Sequence, residues 1–140
     1  MNEDIRALID YRMEEAHDAL EEATILLHSR KARGALNRVY YAMFYAVLAL
    51  LASRQMSASK HSGAIALFHR EFVKKGVIPV EVAKFLDIAF DLRNKSDYRD
   101  FVEPELKRVE ELREAAVQFI GAIETGLRTL YCTHLPNNII

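Results

Sequence analysis

The 140-residue chain is one domain's length, enough to bury about two-thirds of the surface its unfolded form exposes. Hydrophobic residues at 51 % and charged residues at 28 % make an ordinary soluble balance, and a formal net charge of −1 excludes an overall field that would recruit nucleic acid or an anionic membrane. The single cysteine, Cys132, excludes an internal disulfide, and the acidic N-terminus lacks the basic-then-apolar order of a signal peptide, so a cytoplasmic protein with no membrane segment is expected.

Few glycines and prolines interrupt a helical periodicity that runs nearly throughout, so the fold class is all-α. The first helix covers roughly 3–29, with Ile5, Ile9, Met13, Ala16, Leu20, Ala23 and Leu27 as its inner stripe. Its residues 3–22 are strongly acidic, whereas 28–38 carry Arg30, Lys31, Arg33 and Arg38 without an acid. That basic stretch either complements the helix C-terminal dipole as a solvated loop or holds phosphate. Gly34 stands near the junction with a second helix, roughly 33–53, which is apolar almost all round and therefore central. The 14 residues from Val39 to Ala52 are too few to span a bilayer. Ser57-Ala58-Ser59 breaks the pattern. A third helix follows over about 60–75, ended by Gly76, and Pro79 and Pro104 open a fourth (about 79–97) and a fifth (about 104–130), the fifth with Leu106, Val109, Leu112, Ala116, Phe119, Ile123, Leu127 and Leu130 as its stripe. Short connections favour an antiparallel, up-and-down bundle of four to five helices, one domain over 1–130 with a 131–140 tail that has no periodicity and is mobile or packs on a partner.

Three constellations interrupt this apolar logic. On the central helix Asn37, Tyr41 and Tyr45 recur at four-residue spacing beside Arg38 and Tyr40, a polar seam that hydrogen-bonds a ligand or packs with its hydroxyls at the edge of the core. Lys60-His61 opens the third helix, where a cation, an imidazole and free backbone N–H groups suit a phosphate, although an exposed Lys-His pair needs no ligand. In the fourth helix the stripe Ile78, Val82, Phe85, Leu86, Ala89 and Phe90 continues onto Arg93 and then Asp97. A guanidinium there costs several kcal/mol of desolvation unless it is paired or faces a cleft, with Asp97 at i,i+4 the nearest internal partner. No glycine-rich phosphate loop or Gly-x-Ser-x-Gly elbow occurs, and the five histidines stand apart from metal-ligand spacings, so neither metal nor cofactor is expected.

The run Tyr40-Tyr41-Ala42-Met43-Phe44-Tyr45-Ala46, the Lys60-His61-Ser62-Gly63 segment and Arg93 followed by Asp97-Tyr98 together resemble the HEPN family of helical domains, over roughly residues 5–128. The resemblance implies a homodimer whose polar motifs line a cleft near the two-fold, and either ribonuclease toxicity or pairing with a minimal nucleotidyltransferase. Nuclease members carry an arginine, a polar residue directly after it, and a histidine four to six residues on. Arg93 and Asn94 match the first two positions, whereas Asp97-Tyr98 stand where the histidine would be. The catalytic set that the resemblance implies is Arg93, Asn94 and Asp97, with His61 a candidate imidazole and Asn37, Tyr41, Lys60, His61, Arg93 and Tyr98 as ligand-binding residues. Three functions follow: a module binding a nucleotide, an RNA phosphate or a nucleotidyltransferase in a toxin–antitoxin or defence setting; a metal-independent endoribonuclease; and a structural dimerisation domain.

Overall fold

Asn2 starts the fold by accepting the Ile5 N–H on its side-chain oxygen at 2.8 Å, with Glu3 and Asp4 meeting the positive end of the helix dipole. The helix α1 then runs Glu3–His28, followed by α2 (Ala32–Ser53), α3 (His61–Phe68) with a π-helical continuation (His69–Val73), α4 (Val80–Tyr98) and α5 (Leu106–Cys132). This computed structural model describes residues 2–98 and 103–132, without the side chains of Asp97, Tyr98, Tyr131 and Cys132. The expectations resting on Asp97, Tyr98, Arg99, Cys132 and the tail from 133 onward lie outside the described residues.

The apolar helix α2 is the axis of an all-α bundle and packs against α1, α3, α4 and α5. Leu26 lies beside Gly34, Glu22 pairs with Arg38, and His17 pairs with Glu124 while Thr24 meets Arg113, so α1 runs antiparallel to both α2 and α5. The stripe read from sequence is the buried one: Ile9, Ala16, Ala23 and Leu27 of α1 and Val109, Leu112, Ala116, Phe119, Ile123 and Leu127 of α5 all enter the core. With a mean hydropathy of 1.4 over its apolar window, α2 is by length and composition long and apolar enough to cross a membrane, unlike the shorter 39–52 count; 72 % of that window is buried inside the bundle.

Helix ends explain the connections. Lys31 N–H reaches Leu26 C=O (2.8 Å) and Arg30 N–H reaches Leu27 C=O (3.0 Å), a Schellman closure that puts Arg30 at φ 60°; Met56 and Gln55 repeat it on Leu51 and Ala52, and Val77 and Gly76 on Phe72 and Val73. Only the last of these uses glycine; Gly34 lies inside α2 and makes no turn. A left-handed non-glycine residue is strained, so Arg30→Gly should stabilise the protein by about 0.5–1 kcal/mol, read as a higher urea midpoint with an unchanged slope.

The third helix departs from expectation in its second half. From His69 the turn widens, Lys74 N–H bonding His69 C=O at 2.8 Å, which keeps both Phe68 and Phe72 in the core. Glu71 fastens this turn, with Lys75 at 2.8 Å, Arg70 at 2.9 Å and Arg54 at 3.7 Å, and hydrogen bonds from Lys75 and then Arg70 hold its carboxyl down at about 2. His69 Nε2 meets Asp87 Oδ1 at 3.0 Å and so ties the turn to α4, the helix that carries Arg93.

Candidate functional site

The site grows from one buried phenol. Tyr40 has no exposed surface, and a buried hydroxyl needs a hydrogen-bond partner. It finds His61 Nδ1 at 3.1 Å, across 21 residues. The break after α2 makes this possible, since the chain leaves α2 at Gln55 and re-enters helix at His61 with extended Lys60 (φ −123°, ψ 151°) at the cap. The imidazole lies against Phe44 (ring centroids 4.1 Å, tilted 31°) and meets Tyr41 edge-on at 5.6 Å.

From α4, Phe90 packs on Tyr40 at 5.7 Å and Arg93 places its guanidinium carbon 5.1 Å from the Tyr40 ring and 5.3 Å from that of Tyr41. Arg93 is part-buried, with its Nε shielded from solvent. The stripe's odd arginine thus lies over the faces of two tyrosines of α2, a contact worth about 0.5–2 kcal/mol depending on desolvation. Arg38 brings a second guanidinium carbon to 5.1 Å from the Tyr41 ring. Two cations converge on one phenol ring, and Arg38 is balanced by Glu22 at 3.3 Å.

Burial, and secondarily the charge of Arg93, push the His61 pKa below its ordinary 6.5. Burial pushes the Tyr40 phenol well above its ordinary value, opposed only in part by Arg93, so Tyr40 keeps its proton. At neutral pH the pair is therefore a phenol and a neutral imidazole. When Tyr40 O–H donates to Nδ1, Nε2 carries a proton and can donate to a phosphate oxygen. When Nδ1–H donates to the phenol oxygen, Nε2 is free to accept a proton. In NMR titrations His61 should titrate below 6.5. The stability linkage follows from the same shift. The unfolded chain binds this proton more readily, so the His61 contribution is complete above 6.5 and is lost as pH falls through the folded pKa. A His61 titration at or above 6.5 would contradict this environment.

The structure brings Tyr41, His61 and Arg93 into one cluster. Asn37 serves it indirectly, accepting from Arg38 Nε (3.1 Å) and Nη2 (2.9 Å) and so fixing the guanidinium that faces Tyr41. Tyr45 touches the rim through Tyr41 at 5.6 Å. Lys60 is exposed beside His61, and Asn94 is part-buried beside Arg93. The basic stretch 28–38 is partly taken up by ion pairs, Arg33 with Glu103 (3.2 Å) and Arg38 with Glu22. Tyr40, Phe44 and Phe90 also belong to the cluster, although their spacing in the sequence does not single them out. The one available signal was a hydroxyl-bearing residue, Tyr40, in the innermost stripe of an apolar helix. Among the described residues no group of three or more His, Cys, Asp or Glu side chains is placed to hold a metal ion.

A family model described as the HEPN domain matches residues 9–125. A "UPF0332 protein" of Thermotoga maritima is 42 % identical over 123 residues, covering 88 % of this chain and 93 % of that protein. A Methanocaldococcus jannaschii protein named "Putative toxin" is 32 % identical over 130 residues, covering 93 % and 96 % of the two chains. A second protein of that organism and name is 34 % identical over 100 residues, covering 71 % and 68 %.

Proposed function

This chain belongs to the HEPN domain family, and from that premise we propose that it is a toxin-related module whose Arg93–Tyr41–His61 cluster binds the phosphate of an RNA or nucleotide. The observation that carries the reading is the convergence of Arg93 and Arg38 on the Tyr41 ring, with a neutral imidazole on the same aromatic patch. Guanidinium groups donate charge-assisted hydrogen bonds to phosphate oxygens, and a phosphate reached by Arg93 would lie beside the Tyr41 ring that Arg38 also approaches. The tyrosine faces and the His61 ring supply the stacking surface that single-stranded nucleic acid uses. The names of two relatives support the toxin setting. The family resemblance adds a homodimer and a neighbouring minimal nucleotidyltransferase to the same proposal.

A second reading, a metal-independent endoribonuclease, is favoured by one observation: His61, from α3, supplies an imidazole beside Arg93 although α4 has none. In that chemistry a neutral Nε2 takes the 2′-hydroxyl proton and Arg93 stabilises the pentacoordinate phosphate. The test is fluorescence anisotropy with a labelled single-stranded RNA, wild type against Arg93→Met, together with gel analysis of the RNA and growth on induction. Equal affinity of the two proteins overturns the binding reading. Cleavage by wild type that disappears in His61→Ala moves the assignment to the nuclease.

A further inference from the structure

An apolar groove of about 440 Å³ opens between α1, the end of α2 and the start of α3, walled by Ile5, Leu8, Phe44, Leu48, Met56 and His61 among others. Leu8 leaves 43 % of its surface exposed there, on a wall that continues directly into the core. No carboxylate lines the groove, and Arg12 at its edge is already neutralised by Glu15 at 2.8 Å. The surface therefore suits an uncharged, aliphatic occupant.

The course of the chain supplies one. His17 meets Glu124 at 3.2 Å, which fixes the register of the antiparallel pair α1 and α5. Leu8 lies nine residues before His17 and Cys132 eight residues after Glu124. Those separations are about 13 Å and about 12 Å along the two helix axes, so α5 ends level with the α1 wall of the groove. Residues 133–140 follow, and when extended they reach at most about 26–29 Å, against about 8–10 Å between packed helices. Their composition matches the groove. Residues 131–140 contain no Asp, Glu, Lys or Arg in a chain that is 28 % charged, and they include Leu135, Ile139 and Ile140.

We propose that residues 133–140 seat in this groove, setting the aliphatic side chains of Leu135, Ile139 and Ile140 on Leu8, Leu48 and Met56. Because Phe44 and His61 belong both to the groove wall and to the arginine–tyrosine cluster, the seated segment also closes this side of His61. The contact can be weak and still dominate. A short tether gives the segment an effective concentration of about 1 mM, so an intrinsic Kd of about 0.1 mM keeps the groove covered about nine-tenths of the time. The inference stands apart from the phosphate reading, since neither RNA nor phosphate takes part in it.

The test is NMR of the intact chain with ¹³C-labelled methionine methyl groups, in which Met56 reports on the groove and the fully buried Met43 on the fold. A synthetic peptide with the sequence of residues 133–140 is titrated into wild type and into the double variant Leu135→Asp/Ile139→Asp. In the variant the Met56 signal should leave its wild-type position while Met43 stays in place, and added peptide should bring Met56 back. Wild type, whose groove is already covered, should bind the peptide about tenfold more weakly than the variant does. Adding Leu8→Gln at the exposed wall of the variant should weaken the peptide about tenfold without moving Met43. A Met56 signal identical in wild type and the double variant, or equal affinity of the two for the peptide, overturns the proposal. Return of Met56 in the labelled variant on mixing with equimolar unlabelled wild type assigns the groove to the segment of a second copy, and overturns the intramolecular seat.

Discussion

Arg93→Met is expected to abolish most of the RNA affinity while leaving the fold about as stable as wild type. A guanidinium on a phosphate makes charge-assisted hydrogen bonds worth about 1.5–3 kcal/mol, so its loss should weaken binding roughly 10- to 100-fold. On the stability side two terms oppose each other. The methionine gives up the contact with the Tyr40 and Tyr41 faces, about 0.5–2 kcal/mol. It also removes the desolvation of a part-buried cation and keeps an unbranched chain on the stripe that leads from Ala89 and Phe90. The net change should stay within about 1 kcal/mol, a shift of about 4 °C in Tm for a chain of this size. Removing the Arg93 charge should also let His61 titrate closer to its ordinary value, which NMR reads independently of binding. The reverse pattern, a loss of several kcal/mol with RNA affinity unchanged, would make Arg93 part of a structural network and favour the dimerisation-domain reading.

The helices were legible because burial imposes a period. Every long stripe read from sequence, from Ile9 to Leu27 in α1 and from Val109 to Leu127 in α5, faces the core. So was the need of Arg93 for company, since a charge on a buried stripe is a statement about energy and not about topology. Which groups provide that company was not legible. Tyr40 and Tyr41 lie about fifty positions earlier, on a helix whose rotation about its axis decides which tyrosine enters the core, and sequence spacing alone favoured Asn37, Tyr41 and Tyr45 over Tyr40. The contact of His61 with Tyr40 depends on the loop between Gln55 and Lys60, where no periodicity operates. The wide turn at His69–Val73 escaped notice for a related reason: one residue more per turn shifts the stripe without breaking it. Arg30 and Gln55 in left-handed conformation defeat the rule that glycine marks a helix end, which only Gly76 obeys here.

The site is therefore part of the core. Tyr40 packs on Tyr41, Phe44, Phe90 and His61 and lies under Arg93, so the groups that would hold a phosphate are positioned by the side chain that helps hold α2, α3 and α4 together. Such a placement gives the precision that binding needs, because core packing fixes rotamers more firmly than a surface loop does. It also means that truncating the packed Tyr40 ring is expected to disturb stability and the proposed binding together, whereas a change at exposed Lys60 on the rim should leave the fold unaltered.

Two substitutions of Tyr40 separate these roles. Tyr40→Ala removes a fully buried ring and should cost about 3–5 kcal/mol, a large share of the roughly 5–15 kcal/mol that holds a domain folded. Thermal and urea unfolding should both show it, and the protein should accumulate poorly in cells. Tyr40→Phe keeps the ring, and with it the packing on Phe90 and the seat of Arg93. It deletes only the hydroxyl that meets His61 Nδ1, leaving the imidazole without that bond, at a cost of about 1–2 kcal/mol. Its signature should lie in His61: the two tautomers, no longer distinguished by a partner at Nδ1, should interconvert and broaden or shift the ring signals, while Arg93-dependent phosphate affinity stays within about threefold because no cation has moved. If Tyr40→Phe is as damaging to stability as Tyr40→Ala, the hydroxyl belongs to the core's polar satisfaction and His61 is its partner in that alone. If it is nearly silent in stability yet changes the pH dependence of RNA binding, Tyr40 is a positioning residue that orients His61 toward the phosphate.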